Sequence, residues 1–561
     1  MKVLGVSCFY HDSAACLISD GKIVAAAQEE RFNRRKNSPD FPINAINYCL
    51  QQDSASVYDI DYIGFYEKPF LKFSRVIVSH LQSFPFSLRN FIDTVPHWLA
   101  DRLIMPLVFK RELGFEGKVL FIPHHMSHAA SAFFSSGFNE AAILTVDGVG
   151  EWASVTCGVG KGNQITINKE LRFPHSLGLL YTAVTTFLGF QALEGEGTVM
   201  GLAALGKPAY VDKFKSIISL KQDGSFHLDM RYFGFFNEGR MMYTQRFVRA
   251  FGSPRLPGGK LEERHCDIAC SLQAVTEEAL VNLACGLYHD TGVDSLCLAG
   301  GVCLNCVANQ KIKEKTPFKR IFIQPAAGDS GGALGAAAYI YFNLLNNQPD
   351  NLMVDAYLGP EFSAAQIKRV LVNNAVDFKE FEEASLCKYI AAKIYESKII
   401  GWFQGRMEFG PRALGNRSIL ANPCNPDMKE LLNKKVKDRE PFRPYAPLVL
   451  EEKAADYFQM SGPSSFMLLA PQVRKDKVAV IPAVTHYDGS ARVQTVNKNG
   501  NPKLWQLVKE FENLTGVPVI INTSFNLRGQ PIVCSPEDAL GSFQSSAMDI
   551  LVLGNFVIEK S

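Results

Sequence analysis

The sequence predicts an α/β protein in which a duplicated N-terminal domain is followed by a smaller C-terminal α/β domain. Three observations point there. An apolar strand, a polar turn and two further strands open the chain, and the same layout returns roughly 140 residues later. Two glycine-rich stretches, SLCLAGGVCLN at Ser295 to Asn305 and IFIQPAAGDSGGALGAA at Ile321 to Ala337, each read as a buried strand, a tight turn and a helix start. Beyond the polar, turn-rich run Asn346 to Pro360 the composition changes, and basic residues gather around prolines and glycines.

Length and composition set the outer limits. The 561 residues allow roughly three or four compact units. With 47% hydrophobic and 20% charged residues, the chain can bury a large core. A formal charge of +2 argues against a broad nucleic-acid-binding face, although a local basic cleft for phosphates remains compatible with it. The thirteen cysteines fall at irregular intervals, several within apolar runs, and read as small buried hydrophobes in a reducing compartment. The N-terminus does not read as a signal peptide, and Gly331 to Leu345 is too short to span a bilayer. A cytoplasmic protein with no membrane and no nucleic-acid partner is expected.

Taken in order, the opening MKVLGVSCFYHDSAACLISDGKIVAAAQEERF gives three strands, with the polar break at Tyr10 to Ser13 and a turn at Asp20-Gly21. The loop RFNRRKNSPDFP then brings Arg31, Arg34, Arg35 and Lys36 together. Lys68 to Phe115 is aromatic and helical in spacing, and is expected to pack near the site. At HHMSHAASAFF, His124 and His128 stand four residues apart, so their imidazoles share one helix face. The strand AAILTV ends in Asp147, placing a carboxylate at a strand tip, where open α/β sheets hold their ligands. A His, His, Asp set suits iron, zinc or manganese. The plainer alternative is two ordinary helix histidines and a turn-capping aspartate.

Further along, LEGEGTVMGLAALG brings glycines and small residues that suit close packing. Gly300 and Gly301, leading to Asn305, form a turn whose amides and helix start could cradle a phosphate. Cys303 and Cys306 lack the second pair a zinc ribbon needs. Asp329 opens the next glycine-rich helix and joins His124, His128 and Asp147 as a fourth member of the metal and nucleotide site. The domains therefore run 1–345, with halves near 1–140 and 141–345, then a linker at 346–360 and a second domain at 361–561. In that second domain Arg412 and Arg417 flank turn residues, and Lys437, Arg439 and Arg443 surround Pro441. Arg492 lies beside a strand, and Asn522, Thr523 and Ser524 end one, all suitable partners for phosphate oxygens.

The duplicated three-strand units resemble the nucleotide-binding fold shared by actin, sugar kinases and heat-shock ATPases. The motifs YHDSAA, HHMSHAASAFF, EGTVMGLAALG, GGVCLNC, AAGDSGGALGAA, GRMEFGPRALGNRSIL, REPFRPYAP, ARVQTV and NTSFN together resemble the NodU/CmcH family of O-carbamoyltransferases from end to end. That resemblance implies a TsaD-like N-terminal domain, related to tRNA threonylcarbamoyl transferases, and a YrdC-like C-terminal domain. The latter would make carbamoyladenylate from carbamoyl phosphate and ATP with Mg2+, and the former would pass the carbamoyl group to a small-molecule hydroxyl. It implies Fe2+, or a similar divalent ion, on His124, His128, Asp147 and Asp329, with His11 as general base beside Asp12. It also implies that Lys36, Arg412, Lys437, Arg443, Arg492 and Ser524 hold carbamoyl phosphate and nucleotide.

Where the family commonly has lysine before VMGLA, this chain has Thr198. The competing readings are a tRNA-modifying threonylcarbamoyl transferase and a metal-binding scaffold without turnover. The acceptor, expected to be a sugar, glycoside or other natural product, would be chosen by Lys68 to Phe115 and Phe226 to Lys260. A homodimer is the expected assembly.

Overall fold

In the computed structural model, residues 86, 236–240, 350–352 and 561 are left undescribed, so parts of the expected linker and of both expected specificity segments lie outside the described residues. The chain divides into one unit of residues 1–29 and 39–353 and another of residues 30–38 and 354–561.

The first unit contains two five-stranded sheets of one design. In the first, strands Lys22–Gln28, Ala14–Ser19 and Lys2–Ser7 run antiparallel, and Tyr62–Phe65 and Lys118–Phe121 then join parallel to the opening strand. In the second, Gln164–Arg172, Ala153–Lys161 and Glu140–Val146 repeat the antiparallel trio, and Ser295–Ala299 and Arg320–Ile323 add the parallel pair. Both sheets have the order third, second, first, fourth, fifth. The repeated turn pattern in the sequence is thus a structural duplication, and the unit has the halves expected of an actin- and sugar-kinase-like domain. Central strands such as Lys2–Ser7 and Glu140–Val146 are buried along almost their whole length, which is why they read as unbroken apolar runs.

Two helices join the halves. His124–Phe133 follows the last strand of the first sheet, and Asp329–Ala338 follows the last strand of the second. The second, DSGGALGAAA, is nearly all small residues for a steric reason: a Cβ added at Gly335 would stand 1.7 Å from the carbonyl oxygen of Ser127. The two backbones touch. This close crossing carries the starts of both helices, and the side chains there, to one place.

The second unit is built on one mixed sheet of eight strands, with Ile400–Phe403, Arg417–Ala421, Val519–Ser524 and Ala446–Leu450 side by side near its middle. Helices Glu383–Tyr395 and Pro502–Thr515 contribute Leu386, Ile390, Ile394, Leu504, Leu507 and Phe511 to its apolar core, together with Trp402 of the sheet. Its most unexpected part is the segment 30–38. Phe32 packs against Met407, Ala413, Ile532 and Cys534. Arg31 donates to the carbonyl of Gly410 at 2.8 Å, and Arg34 donates to the carbonyls of Ile532 and Pro531 at 2.7 and 2.9 Å. The latter half of the expected linker is likewise built in, with Met407 N–H donating to Pro360 and Phe409 N–H to Ala356. Among the described residues no helix is long and apolar enough to cross a membrane.

Candidate metal centre and basic cluster

His124 and His128 project from the first two turns of their helix, with Nε2 atoms 3.1 Å apart. Asp147, just past the strand Glu140–Val146, puts Oδ2 3.2 Å from His124 Nε2. Asp329, the first residue of its helix, puts Oδ1 3.8 Å from His124 Nε2 and 3.9 Å from His128 Nε2. The four donor atoms all lie within 4.8 Å of one another.

Neighbours brace two of the ligands, Asp147 and His124. Gly301 N–H donates to Asp147 Oδ1 at 2.9 Å. Glu151 accepts from the amides of His124 and Lys68 at 2.9 and 2.7 Å, capping the helix at its first ligand. The ring of Tyr66 meets that of His124 edge-on at 5.4 Å. The third histidine of the run, His125, turns away: Nδ1 meets Thr145 Oγ1 at 2.6 Å and Nε2 donates to Ala153 O at 2.9 Å. Burial drives its pKa down to about 3, helped by His124, so it stays neutral.

The charges of the cluster call for a cation. Burial pushes the Asp329 carboxyl up, and Asp147 adds to this. Burial also opposes ionisation of Asp147, yet the hydrogen bond from His124 and the nearby imidazoles hold it well below the usual carboxylate range. Against the same burial, Asp329 and Asp147 raise His124 to about 9. Without a metal, then, an imidazolium balances the carboxylates. Two facing imidazole nitrogens can share only one proton, and metal–ligand bonds of about 2.0–2.2 Å place neighbouring donors about 3 Å apart. The N2O2 set therefore fits a divalent transition ion, and its chemistry does not choose among iron, zinc and manganese.

His11 stands at the edge of this centre. Its Nδ1 is 2.9 Å from Asp12 Oδ2, and its Nε2 is 3.8 Å from Asp329 Oδ2. Asp12 has a left-handed backbone, φ 52°, which tightens the turn. Burial lowers the His11 pKa, but Asp329, Asp12 and Asp147 outweigh it and bring it to about 9.

The glycine turn expected to cradle a phosphate is heavily engaged. Gly300, at φ 95°, donates to Ala327 O, and a Cβ there would stand 2.2 Å from Val146 O. Gly301 serves Asp147, while Asn305 caps Ala308 and exchanges hydrogen bonds with Gln273.

In the second unit Lys437 ends the one-turn π-helix Asn433–Lys437, and Asp438 follows at φ 41°. The Lys437 ammonium donates to the carbonyl and hydroxyl of Ser524 and, at 3.0 Å, to the carbonyl and side-chain oxygens of Asn526. No carboxylate is among these partners. Burial, then Arg439 and Arg443, push its pKa well below the usual lysine value. Arg443 is lowered to about 10 by burial and by Arg439, with Arg412 adding to the repulsion and Glu440 opposing it. Arg439 stacks 4.4 Å over Tyr445 and donates to Asn433 at 3.1 Å.

The cluster continues to residues the sequence reading left out. Burial, Arg492 and Lys429 lower His486 to about 4, while Asp488 opposes them. Thr523 and Ser524 lie at the end of a central strand. Lys36 is exposed on the 30–38 segment, which belongs to this second unit.

Two expected ligand contacts have other duties here. Arg417 is fully buried: its guanidinium donates to the carbonyls of Gln404, Gly405, Asn416 and Pro360, and sits 3.6 Å over Phe403. Asn522, also fully buried, donates to Gln494 at 2.6 Å. Glu408, within the same arginine motif, accepts from the amides of Leu414, Asn416 and Arg417.

Known proteins with the same sequence pattern are consistent about its class. Residues 2–338 match the family model described as carbamoyltransferase N-terminus, and residues 391–560 match that of the carbamoyltransferase C-terminus. An uncharacterized protein of Synechocystis sp. is 46% identical over 100% of this chain and 97% of its own length. Nodulation protein NolNO of Sinorhizobium fredii is 36% identical over 98% of this chain and 79% of its own. Among solved structures, a hexokinase from Thermus thermophilus is 15% identical, with a TM-score of 0.29 over 60% of this chain and 97% of that one. Because the two family models between them take in both units, the metal centre of the first and the basic cluster of the second, the chain belongs to the carbamoyltransferase family and is an enzyme of that kind.

Proposed function

We propose that the second unit makes carbamoyladenylate from carbamoyl phosphate and ATP, and that the first unit passes the carbamoyl group to a hydroxyl of a small molecule. The observation that carries this reading is the electrostatic state of Lys437 and Arg443. Burial and like-charged neighbours make the positive charge of both costly. A polyanion among Arg412, Lys437, Arg439, Arg443 and Arg492 relieves that repulsion, and donors aimed at developing phosphate charge are the largest single source of rate in such reactions. In this step water and the cluster release the carbamoyl unit from its phosphate. A carbamate oxygen then attacks the α-phosphorus of ATP, and pyrophosphate leaves.

In the second step the acceptor oxygen attacks the carbamoyl carbon, the bond to the adenylate oxygen breaks and AMP departs. His11 takes the hydroxyl proton, which requires it to be neutral. Balancing the charges of Asp329 and Asp147, which raise it together with Asp12, favours the neutral form. A divalent ion held by His124, His128, Asp147 and Asp329 would supply that balance and Lewis-acid polarisation of adenylate oxygens. Asp12 keeps the imidazole oriented through Nδ1.

The test is carbamoyl-phosphate-dependent release of pyrophosphate from ATP. Arg443→Ala is expected to lower it by at least about 100-fold, the scale of losing one aimed charge donor. Undiminished release in that variant would overturn the assignment of the basic cluster.

A further inference from the structure

His486 opens a tight turn in the second unit. Its N–H donates to Ser490 O at 2.8 Å, and Gly489 N–H donates back to His486 O at 3.0 Å. The side chains fix which ring nitrogen carries the proton. Asp488 Oδ1 accepts from the Ser490 hydroxyl at 2.7 Å and from the Ser490 amide at 3.0 Å. The single hydroxyl proton of Ser490 is thereby used, so toward His486 Nδ1, 3.1 Å away, the same oxygen can only accept. Nδ1 therefore holds the proton, and Nε2 is left with its lone pair. That nitrogen is closed to solvent and has no hydrogen-bond partner among the described residues. A buried acceptor without a donor is a standing cost.

The sheet places this turn beside the basic cluster. Residues 489–493 run antiparallel to 469–473, with Val473 N–H donating to Gly489 O, Ala491 N–H to Pro471 O and Val493 N–H to Leu469 O. Ser490, Arg492 and Gln494 alternate along this extended run and share one face. Gln494 accepts from Asn522 at 2.6 Å, and Asn522 shares a face of its own strand with Ser524, which holds Lys437. Lys429 lies 4.3 Å over the ring of Tyr487. Arg412, Lys429, Lys437, Arg439, Arg443 and Arg492 are donors only. They suit phosphate oxygens and a carbonyl, but a carbamoyl group also presents two N–H bonds, which no cation accepts. An acyl phosphate with a methyl group in place of the amide would satisfy such a cluster equally well. Only an acceptor that stays unprotonated separates the two. Burial, with Arg492 and Lys429 acting in the same direction and Asp488 against them, holds His486 neutral.

We infer that His486 Nε2, set by the Asp488–Ser490 pair, accepts a hydrogen bond from the carbamoyl NH2 and selects carbamoyl phosphate over acyl phosphates of the same shape and charge. This rests on the reading of the basic cluster as the carbamoyl phosphate site. The amide reaches the nitrogen as the long side chains of Arg492 and Lys429 shift onto the phosphate oxygens.

The experiment uses two inert phosphonates, phosphonoacetamide and acetonylphosphonate, which differ only by NH2 against CH3. Their binding to the full-length protein is measured by isothermal titration calorimetry. The wild-type protein is expected to prefer the amide about 10- to 100-fold, the worth of one hydrogen bond to a buried acceptor. His486→Asn can still donate to Ser490 but has nothing at the Nε2 position, and is expected to cut the preference below about threefold by weakening the amide alone. His486→Gln returns an oxygen near that position and is expected to restore most of it. An unchanged preference in a folded His486→Asn protein, or equal weakening of both phosphonates, would overturn the inference. In 15N-histidine spectra of the wild-type protein, one Nδ1–H tautomer signal is expected to shift with the amide and stay in place with the ketone. Spectra that respond alike to both would count equally against it. Arg443→Ala is expected to weaken both ligands together. Binding of neither phosphonate to the wild-type protein would remove the carbamoyl phosphate reading itself, whereas tight and equal binding of both would remove only the role of His486.

Discussion

Gly335 sits where the helix that begins with Asp329 crosses the helix that carries His124 and His128, and it offers the sharpest test of how the fold makes the site. In Gly335→Ala the new methyl group would lie 1.7 Å from Ser127 O, a backbone atom that cannot swing aside. Even a tight contact of about 3.0 Å demands a separation of at least about 1.3 Å at the crossing, and cores resist such overpacking at a cost of about 1–3 kcal/mol. Helix propensity runs the other way, since alanine is better than glycine by about 1 kcal/mol. A net loss would therefore be steric. Metal sites tolerate ligand displacements of only about 0.2 Å, so the separation is expected to release the ion well before the protein unfolds at ordinary temperature. The assay is metal content after dialysis against a weak chelator, together with melting curves with and without added Fe2+, Zn2+ or Mn2+. A variant that keeps a stoichiometric ion and the wild-type melting midpoint would refute the argument that this contact aligns the centre.

Glu151→Ala removes the cap on His124 and the tie to Lys68, and is expected to weaken metal binding about 10- to 100-fold, measured by competition with a chromophoric chelator. Glu151→Gln, which can still accept both amide hydrogen bonds, is expected to recover most of it. Arg417→Met leaves several buried carbonyls unpaired and is expected to destabilise the second unit by about 3–5 kcal/mol. That loss appears in denaturant unfolding; a normal unfolding midpoint with a raised Michaelis constant for ATP would instead mark Arg417 as a ligand contact. His486, lowered from 6.5 to about 4, binds fewer protons folded than unfolded. Its contribution is therefore fully present above pH 6.5 and is lost as pH falls from 6.5 toward 4, by at most about 1.4 kcal/mol per pH unit. His486→Asn is expected to flatten that slope in melts between pH 5 and 7.

The parts legible in the sequence are those governed by local periodicity. The spacing of His124 and His128, and the strand-end position of Asp147, follow from helix and strand geometry, and the repeated turns announce two sheets of the same order. What composition does not reveal is whether a guanidinium faces an anion or its own backbone. Arg417 and Arg443 occur in equally basic, turn-rich contexts, yet only Arg417 is spent on carbonyls. His486 and Lys429 stand far apart along the chain and join the basic cluster only through tertiary packing. Glu151 had a faint signal, a carboxylate within a tight turn shortly after Asp147, but nothing in the sequence says that it reaches the first amide of another helix.

The segment 30–38 gives this protein an unusual order of assembly on the ribosome. Arg34 is made early, but its acceptor on Ile532 lies 498 positions later. At about 5–20 residues per second, that partner emerges roughly 25–100 s afterwards. Until then a nascent strip rich in arginine must wait with its carbonyl acceptors still unsynthesised. Chains interrupted after the first unit would carry it unclothed, an easy mark for proteases that clear truncated products.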